Sequence, residues 1–393
     1  MCLHAAVAAG QGQTLTLADV LTRARAQAPE IVSARLSLDE ARGRLVGASV
    51  RTQTNPDVDV WSGRRAGADG PYTDVELGVS HTLEPPGRRS ARVAGATAAI
   101  AQSTATVDEV TRTVLRDAAS AYYRVVYAQQ RLTLLDAAQA LASRTYATAD
   151  RRFQAGDIAV LDVNIARAAL ARVKADREAA EATRVLALGE LRRLLTLDER
   201  VTVSGTLMVP AATDLASALE TADERPELRV LEAAVQEADA DLRYGVSLAK
   251  PQFGVGARYS REEGDRIVVG GLTITLPLFS KGQEQRTVAT ARAARLRAEL
   301  EAARLRVRIE VQTAFEAYDR RMAAVRVLQT DATPSLDENE QLTTRSFDVG
   351  QIGLPDLLLI QREILDTRTQ YLDALLEAAL ARLDLDASAA RLR

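Results

Sequence analysis

The chain has 393 residues, of which 47% are hydrophobic but only 4% aromatic, and its formal net charge is −3. This near-neutral balance shows no electrostatic footprint for nucleic acid, so we expect no nucleic-acid partner. A single cysteine excludes an internal disulfide framework. With so few aromatic residues, alanine, leucine and valine must form the core, which favours closely packed helices.

The first residues are small and apolar, and Ala6-Val7-Ala8 resembles the cleavage end of a secretory signal sequence. We interpret residues 1–14 as the remainder of such a signal or as an N-terminal lead. An uninterrupted apolar run of about 18 residues would indicate a transmembrane helix, and the sequence contains none.

The first half of the chain, 15–200, is interpreted as one structural repeat. It has a helix, a β-hairpin, a long helix and a shorter helix, at 15–51, about 57–83, 88–152 and 160–197. The hairpin is predicted because Val75, Leu77 and Val79 alternate with polar or small neighbours, which is the period of a strand. In the long helix the apolar residues recur by threes and fours, as in a coiled coil.

The second half, 214–393, repeats this order after a linker at 201–213. Its helix, hairpin, long helix and last helix are predicted at 214–249, about 252–278, 283–346 and 355–391. Leu272 and Ile274 lie on the apolar face of the second hairpin. Pro334 falls inside the long helix and is expected to kink it, because proline cannot make the backbone hydrogen bond there.

A motif of phenylalanine, glycine and aspartate marks the duplication. It occurs as Phe153, Gly156 and Asp162, and again as Phe347, Gly350 and Asp356. A repeat of about half the chain indicates a duplicated half rather than a short-period solenoid. Both glycines are expected to take a positive φ at a helix end. Both phenylalanines are expected to pack rather than to bind a ligand.

The two hairpins supply strands of about 9–11 residues, the length that spans a bilayer in a β-barrel. Four strands cannot close a barrel, since spanning barrels begin at about eight strands. An open edge in hydrocarbon would leave backbone groups without hydrogen-bond partners. Strands in a membrane therefore require the chain to oligomerise, and three copies would give twelve strands, an even number within the known range. The alternative is an amphipathic hairpin packed on a soluble core.

The doubled order of elements, the repeated motif and Pro277-Leu278-Phe279 after the last strand resemble the outer membrane efflux (TolC-like) family. The resemblance covers essentially the whole chain. It implies a mainly α fold with a membrane β-barrel part. Duplicated coiled-coil halves would form a trimeric α-helical barrel in the periplasm and a twelve-stranded barrel, four strands per chain, in contact with outer-membrane lipid.

The same resemblance implies a passive exit duct of a tripartite efflux system. Its partners would be a periplasmic membrane-fusion adaptor and an inner-membrane transporter of the RND type, and its cargo metal cations or drugs. The sequence contains no catalytic motif, no cofactor fingerprint and no clustered metal ligands, so we expect neither an enzyme nor a resident cofactor or metal. A type I protein-secretion duct shares the fold and remains an alternative, as does a soluble coiled-coil scaffold.

Several residues are candidates for a role in this duct. Asp356 and Asp162 match the family's carboxylates at the periplasmic tip, where a ring of Asp356 would favour cations; alternatively, each stabilises a helix N-terminus. In the family a basic residue two positions after the glycine often keeps the tip shut, and here that position is Ile352. Val75, Leu77, Val79, Leu272 and Ile274 are expected to face lipid.

The joint between the first hairpin and the long helix is Glu84-Pro85-Pro86-Gly87-Arg88-Arg89. Its spacing of glutamate, glycine and basic residues resembles the branch of the family that serves heavy-metal cation pumps. The two arginines could lie near lipid headgroups or the next subunit. The alternative is that the segment only sets the geometry of the joint, since its prolines fix the backbone angle.

Overall fold

The computed structural model describes residues 13–67, 70–208, 214–262 and 265–392. The strands in this part of the chain are β1 (Gln13–Leu15), β2 (Asp57–Gly67), β3 (Gly70–Leu83), β4 (Val201–Val203), β5 (Gln252–Glu262) and β6 (Asp265–Thr275). The helices are α1 (Leu17–Gln27), α2 (Pro29–Ser49), α3 (Arg88–Gln154), α4 (Val160–Leu194), α5 (Leu215–Ala222), α6 (Pro226–Ser247), α7 (Gln283–Val327), α8 (Leu336–Asp348) and α9 (Leu354–Ser388). The interpreted signal remainder, up to residue 12, lies outside the described residues.

Two helices that the sequence predicted as single are divided. The helix expected at 15–51 is β1 followed by α1 and α2, and the helix expected at 214–249 is α5 followed by α6. Pro29 and Pro226 are the first residues of α2 and α6. The first helical position tolerates proline because its N–H has no partner inside the helix. Each proline therefore starts a new helix and ends the preceding one.

A short parallel pair joins two segments that are distant in the sequence. β1 pairs with β4 in register, with Leu15 opposite Val203. The hydroxyl groups of Thr14 and Thr202 lie 3.0 Å apart. The prediction of a linker over 201–213 was wrong at 201–203, because three residues are too few to show a periodicity. Residues 209–213 of that predicted linker lie outside the described residues.

Both predicted hairpins are confirmed, and they join into one antiparallel sheet of order β2-β3-β5-β6. Directly opposite residues share a face of a sheet, so the register shows which side chains lie together. Val60 lies opposite Leu77, Leu77 opposite Tyr259, and Tyr259 opposite Val268. All four strands therefore contribute apolar residues to the face of Leu77, while Trp61, Ile267 and Val269 lie on the opposite face.

The two long helices differ in continuity. α3 runs for 67 residues without a break. α7 ends after 45 residues, where a π-helical turn at Leu328–Ala332 and a 3₁₀ turn at Thr333–Ser335 precede α8. The predicted interruption at Pro334 is thus confirmed. Among the described helices, none is both long enough and apolar enough to cross a membrane.

The chain divides into two compact units, and neither coincides with one of the predicted repeats. The first comprises the described parts of Met1–Ser33, Glu109–Arg225 and Arg306–Arg393, and the second comprises those of Ala34–Asp108 and Pro226–Leu305. Each unit takes segments from both halves of the sequence. The boundaries of the sequence repeats therefore differ from the boundaries of the compact units.

The core of the first unit is built from small and branched apolar residues on α1, α3 and α4. Val125, Leu191 and Ala118 are fully buried, together with Leu15 of the short parallel pair. This agrees with the expectation that aliphatic residues replace aromatic ones in the core. Because alanine lets two helix backbones approach closely, such a core suits long helices packed side by side.

Polar contacts fix α3 against α9 within the same unit. The Tyr127 hydroxyl donates a hydrogen bond to Asp373 and accepts one of 2.7 Å from Arg131. Burial raises the pKa of the Tyr127 hydroxyl, and its bond to Asp373 raises it further. The hydroxyl therefore stays protonated and keeps its donor role at neutral pH.

In the second unit, α6 packs on α7 through alanine and is bordered by ion pairs. Ala234 and Ala238 lie against Ala293 and Leu296. Beside this seam Arg297 contacts Asp239 at 2.7 Å, and further pairs join Arg292 to Glu237 and Asp241, and Arg304 to Glu232. Exposed pairs of this kind contribute only about 0–1 kcal/mol each, so the small apolar seam holds the two helices together.

Candidate functional site

Two turns of the first unit carry the duplicated motif, and their backbones are alike. The N–H of Gly156 donates to Phe153 and that of Asp157 to Arg152, both at 2.9 Å. In the second turn, Gly350 donates to Phe347 at 3.0 Å and Gln351 donates to Ser346 at 2.8 Å. Both arrangements are Schellman motifs, which end a helix with a left-handed residue. The φ angles of +83° at Gly156 and +78° at Gly350 confirm the positive values that the sequence predicted.

The side chains of the two turns are not alike. Phe347 is only 3% exposed, in a cluster with Ala149, Ala166, Leu354 and Leu357. Its counterpart Phe153 is 41% exposed. Phe347 therefore packs within the chain, whereas Phe153 is largely outside this cluster, and its packing stays a prediction.

Arg152 connects the first turn to the second. Its guanidinium lies over the ring of Phe347, 5.2 Å from the centroid, and donates a 3.4 Å hydrogen bond to the carbonyl oxygen of Phe347. Arginine over an aromatic face is an attractive cation–π geometry. The sequence analysis missed this residue, although a basic residue in the last turn of a helix is a common cap. Ile352, at the position that is often basic in the family, is instead partly buried beside Phe347.

The two tip aspartates occupy the same helical position. Asp162 and Asp356 are the third residues of α4 and α9. Asp162 accepts a 3.3 Å hydrogen bond from the N–H of Ala159 and so stabilises the start of α4. Asp356 is exposed, and within the described residues it has no hydrogen bond or ion pair. Both carboxylates interact favourably with the helix dipole, but only Asp356 has both oxygens available to another group.

The sheet of the second unit has one apolar and one polar face. The residues expected to face lipid share one face and are all at least 40% exposed: Val75, Leu77, Val79, Leu272 and Ile274. The opposite face is mostly polar, although Trp61, Ile267 and Val269 also lie on it. Its carboxylates, hydroxyls and glycines include Asp57, Asp59, Asp74, Glu76, Gly78, Ser80, Gly254 and Gly256. Such a two-sided sheet suits a boundary between an apolar and an aqueous medium.

At the joint between β3 and α3, the basic residues cap the end of α2. Arg89 donates two hydrogen bonds, of 3.0 and 2.9 Å, to the carbonyl oxygen of Ser49. Arg92 forms an ion pair with Glu84 and donates to the carbonyl of Val50 at 3.2 Å. Cations are favoured at helix C-termini, where carbonyl groups lack partners.

Gly87 and the prolines shape this joint. Gly87 has a φ of +91°, Pro85 is buried, and the carbonyl of Pro86 accepts a 2.7 Å hydrogen bond from Lys250. The structure thus gives Arg89 a structural contact, which corresponds to the simpler of the two interpretations of this segment. Arg88 is partly buried. The sequence analysis missed Arg92 and Lys250, whose roles depend on contacts distant in the sequence.

No group of three or more metal-ligating side chains occurs in the described residues.

The chain belongs to the outer membrane efflux protein family, whose model matches residues 20–196 and 219–391. It is therefore an efflux protein rather than an enzyme, located in the outer membrane and extending into the periplasm. A relative in Cupriavidus metallidurans, the cobalt-zinc-cadmium resistance protein CzcC, is 26% identical to this chain, over 95% of this chain and 89% of the relative.

Solved structures show the same fold at low identity. A membrane protein from Pseudomonas aeruginosa superimposes with a TM-score of 0.81 at 18% identity, over 95% of this chain and 92% of that one. CusC, in structures concerned with transmembrane channel formation, gives a TM-score of 0.78 at 17% identity, over 95% and 91%. The predicted family and the mainly α fold with one four-stranded antiparallel sheet per chain are thus confirmed.

The tip turns provide a test of the backbone geometry. We expect Gly350→Ala to weaken the second turn by about 1–2 kcal/mol, because an alanine must adopt the left-handed conformation there. Amide hydrogen exchange over 345–351 should become roughly five to thirty times faster.

Gly353→Ala is the matched control for this change. Gly353 has a φ of −76°, and a Cβ there would meet Pro355 at an ordinary 3.5 Å. Unchanged exchange in Gly350→Ala, or equal acceleration in both variants, would contradict the assigned role of Gly350.

Proposed function

We propose that three copies of this chain form a passive exit duct that conducts small cations out of the cell. A periplasmic adaptor and an inner-membrane transporter of the RND type would deliver the cargo. The observation that carries this proposal is the four-stranded sheet, which has an apolar face, a polar face and an open edge at β2 and at β6. In a membrane those edges need partners, and other copies of the same sheet can provide them.

The exposed apolar residues on the helices support assembly with neighbouring copies. On α7, Val307 is fully buried, whereas Leu305 is 62% exposed and Ile309 53%. On α2, Leu36 is 60% exposed and Val46 69%. Helices arranged in a ring need an apolar contact on each side, which matches the two-sided character of α7.

Three features favour cations as cargo. The polar face of the sheet bears more carboxylates than arginines. Asp356 leaves its carboxylate oxygens available beside a helix start, and rings of carboxylates select cations in channels. The relative CzcC bears a name that refers to cobalt, zinc and cadmium resistance. A duct for secreted proteins shares the fold and is the second candidate, while family membership disfavours a soluble scaffold.

The membrane role of the sheet is tested by Leu77→Arg. An arginine on the lipid-facing side near the middle of a strand costs about 2–4 kcal/mol in each chain. We expect the trimer to disappear from cross-linked detergent extracts of the outer membrane.

Ser80→Arg, three residues along β3 on the polar face, should leave the trimer intact. Equal amounts of trimer in both variants would show that the apolar face does not contact lipid.

The tip is tested by Asp356→Asn in single-channel recordings across a salt gradient. Loss of three carboxylates should lower the cation-to-anion permeability ratio while the trimer persists, because the ring no longer attracts cations. Asp162→Asn should have a smaller effect, since Asp162 accepts a hydrogen bond from Ala159. If Asp356→Asn leaves the ratio unchanged, the carboxylate acts only at the helix start.

The class of cargo is tested by deleting the gene in its own host. Growth should become more sensitive to zinc, cobalt or cadmium salts, and the set of secreted proteins should not change. Loss of a secreted protein without altered metal sensitivity would favour the secretion duct instead. Reintroducing the intact gene controls for effects on its neighbours.

A further inference from the structure

Three arginines lie on the apolar face of the sheet, at the end where the hairpins turn. They are Arg64 on β2, Arg261 on β5 and Arg266 on β6, and all three are exposed. Arg261 lies directly opposite Arg266 and also opposite Val75, and Arg64 lies opposite Thr73. They therefore share the face of Val75 and Leu77.

The arginines of the other face have carboxylate partners. Arg65 contacts Asp74 at 3.0 Å and Glu262 at 3.3 Å, and Arg258 contacts Glu76 at 2.7 Å. By contrast, Arg64, Arg261 and Arg266 have no ion pair with any described residue, and the described strands place no aspartate or glutamate on their face. Within the described residues, the sheet thus separates arginines that form ion pairs from arginines that have no acidic partner.

Like charges directly opposite each other in adjacent strands destabilise a sheet, so the pair of Arg261 and Arg266 has an energetic cost in isolation. An anion between the two guanidinium groups would remove that cost. Guanidinium groups bind phosphate through two parallel hydrogen bonds, which makes phosphate a matching ligand.

The position of these arginines along the strands indicates which kind of molecule would carry such a phosphate group. Next to the pair lie Tyr259 and Val268, opposite each other, and beyond them the apolar face continues. A tyrosine between an apolar band and basic residues is typical of the boundary between hydrocarbon and headgroups. The helices leave the sheet at its other end, so in the proposed duct this boundary belongs to the outer leaflet.

We propose that Arg261 and Arg266, with Arg64 beside them, bind the phosphate groups of anionic lipid in the outer leaflet of the outer membrane. This inference rests on the proposed function, which places the loop end of the sheet at the outer leaflet. The bound lipid would have an apolar anchor that lies against the face of Leu77 and a phosphate group that binds the arginine pair. Bound lipid would thereby stabilise the loop end of the sheet.

Native mass spectrometry of the full-length protein in detergent tests this proposal, with bisphosphorylated lipid A and its dephosphorylated form as probes. We expect the trimer to retain the bisphosphorylated lipid and to bind the dephosphorylated one much more weakly. The double variant Arg261→Gln with Arg266→Gln should bind the bisphosphorylated lipid about thirtyfold more weakly, since each arginine near an anionic surface contributes about a fivefold factor.

Two controls separate this effect from a general loss of structure. Arg258→Gln removes an arginine from the opposite face and should keep the affinity of the wild-type protein. Replacing Arg261 and Arg266 with lysine keeps the charge but loses the paired hydrogen bonds, so the affinity should fall between those of the wild-type protein and the glutamine double variant.

Equal lipid binding by the wild-type protein and the glutamine double variant would overturn the inference. Displacement of the lipid by millimolar inorganic phosphate would also overturn it, because it would indicate a site for free phosphate. Absence of any trimer in the wild-type protein would instead contradict the proposed function, so the two failures are distinguishable.

Discussion

The pairing of backbone groups at the edges of the four-stranded sheet is the constraint on which the remaining structure depends. Among the described strands, β2 and β6 each have one partner, and each presents an open edge. A sheet with an apolar face in lipid must close, because hydrocarbon offers no hydrogen bonds to an exposed edge. Closure by copies of the same chain then requires the helices below to meet their neighbours as well. The exposed Leu305 and Leu36 on these helices agree with that requirement.

The two tip turns share the same backbone conformation, but the contacts of their side chains differ. Gly156 and Gly350 end their helices with the same two hydrogen bonds. Yet one phenylalanine is buried and the other exposed, and one aspartate accepts a backbone hydrogen bond while the other does not. A left-handed residue is needed wherever a helix must end sharply, so the glycines have little freedom. The positions around them can diverge: Asp162 accepts a hydrogen bond at the start of its helix, whereas Asp356 has no hydrogen bond or ion pair among the described residues.

The sequence predicts the parts of this fold that follow from local periodicity. The alternation of Val75, Leu77 and Val79 was sufficient to place the first hairpin and its apolar face. Three-residue strands such as β1 show no period, and their pairing depends on residues nearly 200 positions away. The exposure of Phe153 was beyond prediction for the same reason, because burial depends on which helices pack around a turn. The motif therefore indicated the position of the turn but not the surroundings of each side chain.

The strand register is also needed to predict which arginines lie on which face of the sheet. Arg64 and Arg65 are adjacent in the sequence but lie on opposite faces. An arginine on a lipid-facing surface is costly at the middle of the bilayer and far less so near the headgroups. Arg261 and Arg266 therefore limit how deeply the loop end can enter the hydrocarbon. At the other end of the sheet, Arg89 and Lys250 already donate to backbone carbonyls. Because Arg89 and Lys250 are engaged within the chain, they are less available to lipid headgroups than the arginines of the loop end.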